Sequence, residues 1–82
     1  MNQTLKRSLR TDVRNPLCGL PAASRIRHLP DTARQVLGDL LAEISFDARV
    51  RAEKCWRTHK APMAAYWKAV AVYSNHARRL TK

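Results

Sequence analysis

Residues 31–59 have the sequence DTARQVLGDLLAEISFDARVRAEKCWRTH, which is the longest helical pattern in the chain. Apolar residues recur in it at intervals of three and four, which is the spacing of one face of an α-helix. That face comprises Ala33, Val36, Leu37, Leu40, Leu41, Ile44, Ala48, Ala52, Cys55, Trp56 and His59. Pro30 and Asp31 suit a helix start, since Asp31 lies near the positive end of the helix dipole. We therefore predict a long central helix over residues 31–59.

The alternative is that this helix breaks near residues 45–47. Ser45 or Asp47 could then cap the start of a second helix. The apolar face continues through this point without interruption, which favours a continuous helix.

A second helical pattern begins at Pro62, which suits a first helical position because the N–H that proline lacks has no partner there. Largely apolar residues then step by four and three as far as Leu80. The members of this stripe are His59, Met63, Tyr66, Val70, Tyr73, Ala77 and Leu80. We predict a helix over 62–80 that packs antiparallel on the second half of the central helix.

The residues before the central helix form two segments, 1–20 and 21–30, and Pro21 begins the second. Pro21 and Pro30 bracket about two helical turns, so we expect a short helix over 21–28. Residues 1–20 mix polar and basic residues with isolated leucines, which predicts a basic flexible arm. The fold class is all-α: a single small domain over 21–82, in which a short N-terminal helix precedes an antiparallel helical hairpin. Because much of the apolar content is alanine, the core is thin, and this favours a dimer.

The two apolar stripes together predict the core of the hairpin. Its members would be Leu37, Leu40, Leu41, Ile44, Trp56, Met63, Tyr66, Val70, Tyr73 and Leu80. Three rings near Lys68 could instead form a platform on which bases stack. Tyr66 and Tyr73 lie within the stripe, which favours burial, whereas Trp67 lies at its edge and is expected to be the exposed ring.

Charge is unevenly distributed along the chain. The net charge is +10, yet all six acidic residues precede residue 54. Residues 1–30 carry +5, residues 31–53 carry −2 and residues 54–82 carry +7. Lysine and arginine neutralise phosphates and release counterions, so this balance predicts DNA or RNA as a partner. The alternative is that the charge only keeps the chain soluble while the partner is another protein.

The basic residues of the arm and of the C-terminal stretch are the candidate nucleic-acid contacts. They are Lys6, Arg7, Arg10, Arg14, Lys54, Arg57, Lys60, Lys68, Arg78, Arg79 and Lys82. A helix-turn-helix with Gly38 as its turn is disfavoured, because its reading helix would present Glu43 and Asp47 to phosphates.

Gly38, Ala42, Phe46 and Val50 follow one another at intervals of four on the other side of the central helix. Two small residues followed by two large ones resemble a seat for another helix. The occupant would be the 21–28 helix, a second subunit of a homodimer, or a larger host protein complex. These four residues are the candidate protein interface.

No constellation for catalysis or metal binding accompanies these features. Cys55 and His59 are four residues apart, but a structural zinc site needs about four ligands and the other histidines and Cys18 lack the spacing. A Cys55 nucleophile would have no third group to orient its base. We predict no enzyme activity, no metal and no cofactor.

The location is predicted from two features that the sequence lacks. No apolar run approaches the ~20 residues needed to span a bilayer, so we expect no membrane contact. The N-terminus has no apolar segment of the kind found in signal peptides, so we expect the cytoplasm.

Two functional hypotheses remain open. The first is a small basic helical regulatory or accessory protein that binds nucleic acid, of the size and character found in phages or other mobile elements. The second is a protein-interaction module or inhibitor that docks on a larger host complex through a helical face.

Overall fold

The computed structural model describes residues 14–82 and is all-α over that range. A 3₁₀ turn over Pro16–Gly19 is followed by helix α1, Pro21–Arg27. Helix α2 spans Asp31–Arg57 and helix α3 spans Ala61–Arg79. The predicted short, central and C-terminal helices are therefore confirmed, and α2 is continuous through residues 45–47. Residues 1–13 of the predicted arm lie outside the described residues.

Helices α2 and α3 form an antiparallel hairpin, and three contacts define its register. Ser45 Oγ donates a hydrogen bond to the carbonyl oxygen of Ala71 at 2.9 Å, near the middle of both helices. Toward the loop, the Arg51 guanidinium carbon lies 5.3 Å from the centre of the Trp67 ring. At the other end, Gly38 lies against Thr81, whose Oγ1 would be 2.5 Å from a Cβ placed on the glycine.

The contact between α2 and α3 is lined by small residues. The buried residues of the two helices are Gly38, Ser45, Ala48, Ala64 and Ala71. Small side chains let the backbones approach closely, and the Ser45 bond to a main-chain carbonyl depends on that approach. As a consequence, no large side chain within residues 14–82 is completely buried.

The predicted core is largely wrong. Leu80 is buried, and Leu37, Leu41 and Val70 are half-buried. The other six predicted members are between 46% and 66% exposed: Leu40, Ile44, Trp56, Met63, Tyr66 and Tyr73. The large apolar residues do share one face of each helix, as their spacing predicted. The two helices, however, contact each other through the small residues next to that face.

The aromatic rings are also arranged differently from the expectation. Trp67 is half-buried, with Arg51 over its face and the edge of Tyr66 against it at a centroid distance of 5.1 Å. Tyr66 and Tyr73, expected in the core, are both exposed. Trp67 is thus the most enclosed of the three rings rather than the most open.

The N-terminal segment is attached to the open end of the hairpin. Asn15 is buried, and its Nδ2 donates to the carbonyl oxygen of His76 at 2.8 Å. Its Oδ1 accepts from the N–H of Leu17 at 3.3 Å and so caps the 3₁₀ turn. At the start of α2, Arg34 Nη1 donates to the carbonyl oxygen of Arg27 at 2.9 Å, which joins α1 to the hairpin.

The loop between α2 and α3 is closed by backbone hydrogen bonds of the Schellman type. The N–H of Lys60 donates to the carbonyl oxygen of Cys55 at 2.8 Å, and that of His59 donates to Trp56 at 3.2 Å. This geometry places His59 in the left-handed region, with φ of 61°. A side chain at such a position costs about 1–2 kcal/mol, and glycine usually occupies it.

We expect His59→Gly to raise the free energy of unfolding by about 0.5–1 kcal/mol, because relief of the left-handed strain outweighs the added entropy of the unfolded chain. Urea denaturation followed by circular dichroism measures the change. Lys60→Gly is the control: residue 60 has φ of −109°, so glycine there adds only unfolded-state entropy and should destabilise. If both substitutions destabilise the protein equally, the strain at His59 is not present.

Ser45→Leu should destabilise the hairpin by at least about 1–3 kcal/mol, because a larger side chain forces apart two closely packed helices. Ser45→Ala fits the same space and loses only one hydrogen bond, which is typically about 1 kcal/mol. Urea denaturation of both variants gives the comparison. A leucine that is tolerated as well as alanine would contradict the close approach of α2 and α3.

Candidate nucleic-acid interface

The hairpin is one layer of two helices and therefore has two broad faces. One face holds a groove of about 680 Å³, called here the basic groove. It is lined by Arg49, Ala52, Glu53, Trp56, Ala61, Ala64, Ala65, Lys68, Ala71 and Val72. The opposite face, called the apolar face, carries Leu40, Ile44, Met63, Tyr66 and Tyr73, all exposed.

Exposed cations lie in the half of the hairpin nearer the loop, and two of them, Arg49 and Lys68, line the basic groove. We call them the closed-end cluster: Arg49, Lys54, Arg57, Lys60 and Lys68. The last turn of α2 contributes Lys54 and Arg57, the loop contributes Lys60, and Lys68 lies two turns along α3. Four of the eleven predicted contacts are therefore brought together.

Arg49 belongs to this cluster but is not among the residues predicted from the sequence. It lies in residues 31–53, and the candidate contacts were chosen from the basic segments, whereas this segment has a net charge of −2. Its spacing from Glu53 and Trp56, four and then three residues, is the signal that could have placed it on the face of the groove.

Few carboxylates lie near the closed-end cluster. Glu53 lines the basic groove, whereas Asp31 and Asp39 line a second groove at the other end of the hairpin. Within residues 14–82, no ion pair involves a member of the cluster; Arg34 and Asp31 form one at 2.6 Å, at the start of α2. The closed end is thus a region of concentrated positive charge, which attracts anionic partners.

Trp56 offers the cluster an open aromatic surface. Helical spacing predicted this ring in the core, but it is 66% exposed and lines the basic groove. Trp67, the ring expected to be open, is already covered by Arg51 and Tyr66. Trp56 is therefore the aromatic side chain best placed to stack on a base near these cations.

The remaining predicted nucleic-acid contacts lie elsewhere. Arg78, Arg79 and Lys82 are at the open end of the hairpin. At ~1.5 Å per residue along α3, Arg78 lies about 27 Å from Lys60 and about 15 Å from Lys68. Arg78 donates from Nε and Nη2 to Asn75 Oδ1, at 3.0 and 2.9 Å, and is half-buried. Arg14 is exposed at the start of the described residues. The other three, Lys6, Arg7 and Arg10, lie outside the described residues.

The four candidate interface residues of α2 are not equivalent. Gly38 is buried against Thr81 and so contacts the chain's own C-terminal end. Ala42 lines the second groove, and Phe46 and Val50 are exposed. A role in binding another protein remains a prediction for these residues.

Comparison of the chain with protein-family models, with curated proteins and with solved structures finds no match. Among residues 14–82, no helix is both long and apolar enough to cross a membrane. The same residues contain no group of three or more histidine, cysteine or acidic side chains that could hold a metal ion.

Proposed function

We propose that the protein binds nucleic acid through the closed end of its hairpin, as a small regulatory or accessory factor of the kind found in phages and mobile elements. The observation that carries this proposal is the exposed ring of Trp56 in a groove that Arg49 and Lys68 also line. Lys54, Arg57 and Lys60 are exposed in the same half of the hairpin. Cations that neutralise phosphates and a ring that stacks on a base are the two parts of a single-strand binding site.

The size of the basic groove favours unpaired nucleotides over an intact duplex. Its volume of about 680 Å³ lies within the range of small-ligand sites, roughly 300–1,000 Å³. A base can enter such a groove and stack on Trp56 only if it is not paired within a helix. The flanking cations would then follow the phosphates on either side of that base.

Binding to a random single-stranded oligonucleotide should weaken as salt rises, with log K falling linearly against log[salt]. Replacing Lys54, Arg57 and Lys60 together by alanine should lower the magnitude of the slope by about 2, since each phosphate contact contributes about 0.7 on a single strand. Fluorescence anisotropy over a salt series measures both quantities.

The matched control replaces Arg78, Arg79 and Lys82 by alanine, which removes the same formal charge from the open end. Its slope should stay closer to that of the unaltered chain. Equal effects from the two triple variants would show that binding follows net charge and would contradict a site at the closed end.

Trp56→Ala should weaken binding of the same oligonucleotide by about 5- to 150-fold, which corresponds to ~1–3 kcal/mol of stacking. The salt slope should be almost unchanged, because no phosphate contact is removed. Phe46→Ala is the control, since Phe46 is a comparably exposed ring, at 67%, outside the basic groove. If both variants bind equally well, Trp56 does not stack on a base.

A second candidate function is a protein-interaction module that docks on a larger host complex. The observation in its favour is the exposure of Phe46 and Val50 on α2, at 67% and 54%. Capture of host proteins by the full chain, with and without nuclease, separates the two functions. Capture that survives nuclease treatment and is lost in Phe46→Glu would support the second.

A further inference from the structure

The apolar face is large for a surface left open on a small protein. Aromatic side chains bury about 150–250 Å² each when covered, so Tyr66 and Tyr73, at 55% and 62% exposure, leave roughly 200 Å² open. With Leu40, Ile44 and Met63 the face reaches on the order of 400–500 Å², the size of the largest apolar patch on a typical monomer. This is smaller than the ~800 Å² per partner of a standard specific interface.

The buried core of the hairpin is small, so burial of the apolar face would add substantially to the stability of the fold. The buried apolar side chains within residues 14–82 are Ala23, Ala48, Ala64, Ala71 and Leu80. Four of the five are alanines, which contribute little because burial stabilises in proportion to apolar area. Domains of this size commonly need oligomerisation, a metal or disulfides to be stable.

Charge favours a second copy of this chain as the occupant. The stripe of α3 on the apolar face, from Met63 through Tyr66, Val70 and Tyr73 to Ala77, contains no charged residue. On the opposite face Arg49 and Lys68 line the groove, so two copies meeting there would place like charges together. The α3 stripe therefore adds no like charge to a contact between two copies of this chain, whose net charge is +10. The cation of α2 at this face is Arg51, which lies over the Trp67 ring.

Side-chain size also favours a second copy. The Ser45–Ala71 and Arg51–Trp67 contacts together place Leu40 level with residues 76–78, a stretch that includes Ala77. Near the loop they place Cys55 level with residues 61–63, a stretch that ends at Met63. When two such faces stack with α2 of one copy over α3 of the other, large side chains meet small ones at both ends, as packed cores require.

We propose that the apolar face is covered by a second copy of this chain, so that two hairpins stack face to face as a four-helix bundle. Helix α2 of each copy lies over α3 of the other, which brings Ile44 against Tyr73 of the partner subunit and Tyr73 against Ile44 of the partner subunit. Both basic grooves face outward. This inference does not depend on nucleic-acid binding.

Sedimentation equilibrium of the full chain tests the association directly. We expect a dimer at micromolar concentration and a melting temperature that rises with protein concentration, since association stabilises the folded state by mass action. A monomer across this range, with a melting temperature independent of concentration, would overturn the proposal and would leave the face to residues 1–13 or to a different partner.

Two matched variants identify the face that is used. Tyr73→Glu should abolish the dimer, because a carboxylate without a partner is costly in an apolar interface. Phe46→Glu should leave the dimer intact, since Phe46 has similar exposure but lies on the other side of the hairpin. The reverse result would assign the interface to Phe46 and overturn the proposal, as would a dimer in both variants.

A mixture of two variants tests the stacking and does not depend on how well either one folds alone. Ile44→Glu and Tyr73→Lys should each fail to form homodimers. When mixed, they should form a heterodimer and recover helical content, because the glutamate of one chain meets the lysine of the other. A mixture that remains monomeric would overturn the stacking of α2 over α3.

Discussion

Ser45 Oγ reaches the carbonyl oxygen of Ala71 at 2.9 Å because small residues line both helices where they meet. Gly38 against Thr81 shows the same close approach at the open end. Helices that approach so closely leave no room between them for leucine, tyrosine or tryptophan side chains. The large side chains of the hairpin therefore lie on its two broad faces. Their position there produces both the basic groove and the apolar face.

The two faces differ in chemistry. The basic groove combines Trp56 with the cations Arg49 and Lys68. The apolar face is neutral along α3, and there Tyr66 and Tyr73 are exposed. Because the faces lie on opposite sides of one layer of helices, an anionic partner on one and a second copy on the other would not compete for the same surface.

The loop determines where the positive charge is concentrated. His59 in the left-handed conformation ends α2 and lets α3 begin at Ala61, so the last turn of one helix lies beside the first turns of the next. Lys54 and Arg57 then converge with Lys60 and Lys68 at the closed end. The basic C-terminal stretch, continuous in the sequence, is thereby divided between two ends about 27 Å apart.

The sequence alone determined the three helices and the continuity of α2, because helical spacing and proline positions are local signals. It also identified most members of the closed-end cluster, since their charge is visible without coordinates. The exposure of Trp56, Tyr66 and Tyr73 and the partial enclosure of Trp67 depend on how α2 and α3 pack, and the local sequence does not contain that information. Hydrophobic periodicity predicts that the helix face with the largest side chains forms the contact between the helices. In the structure, α2 and α3 pack closely through the faces that carry their smallest side chains. Such packing depends on both helices together and cannot be read from either helix alone.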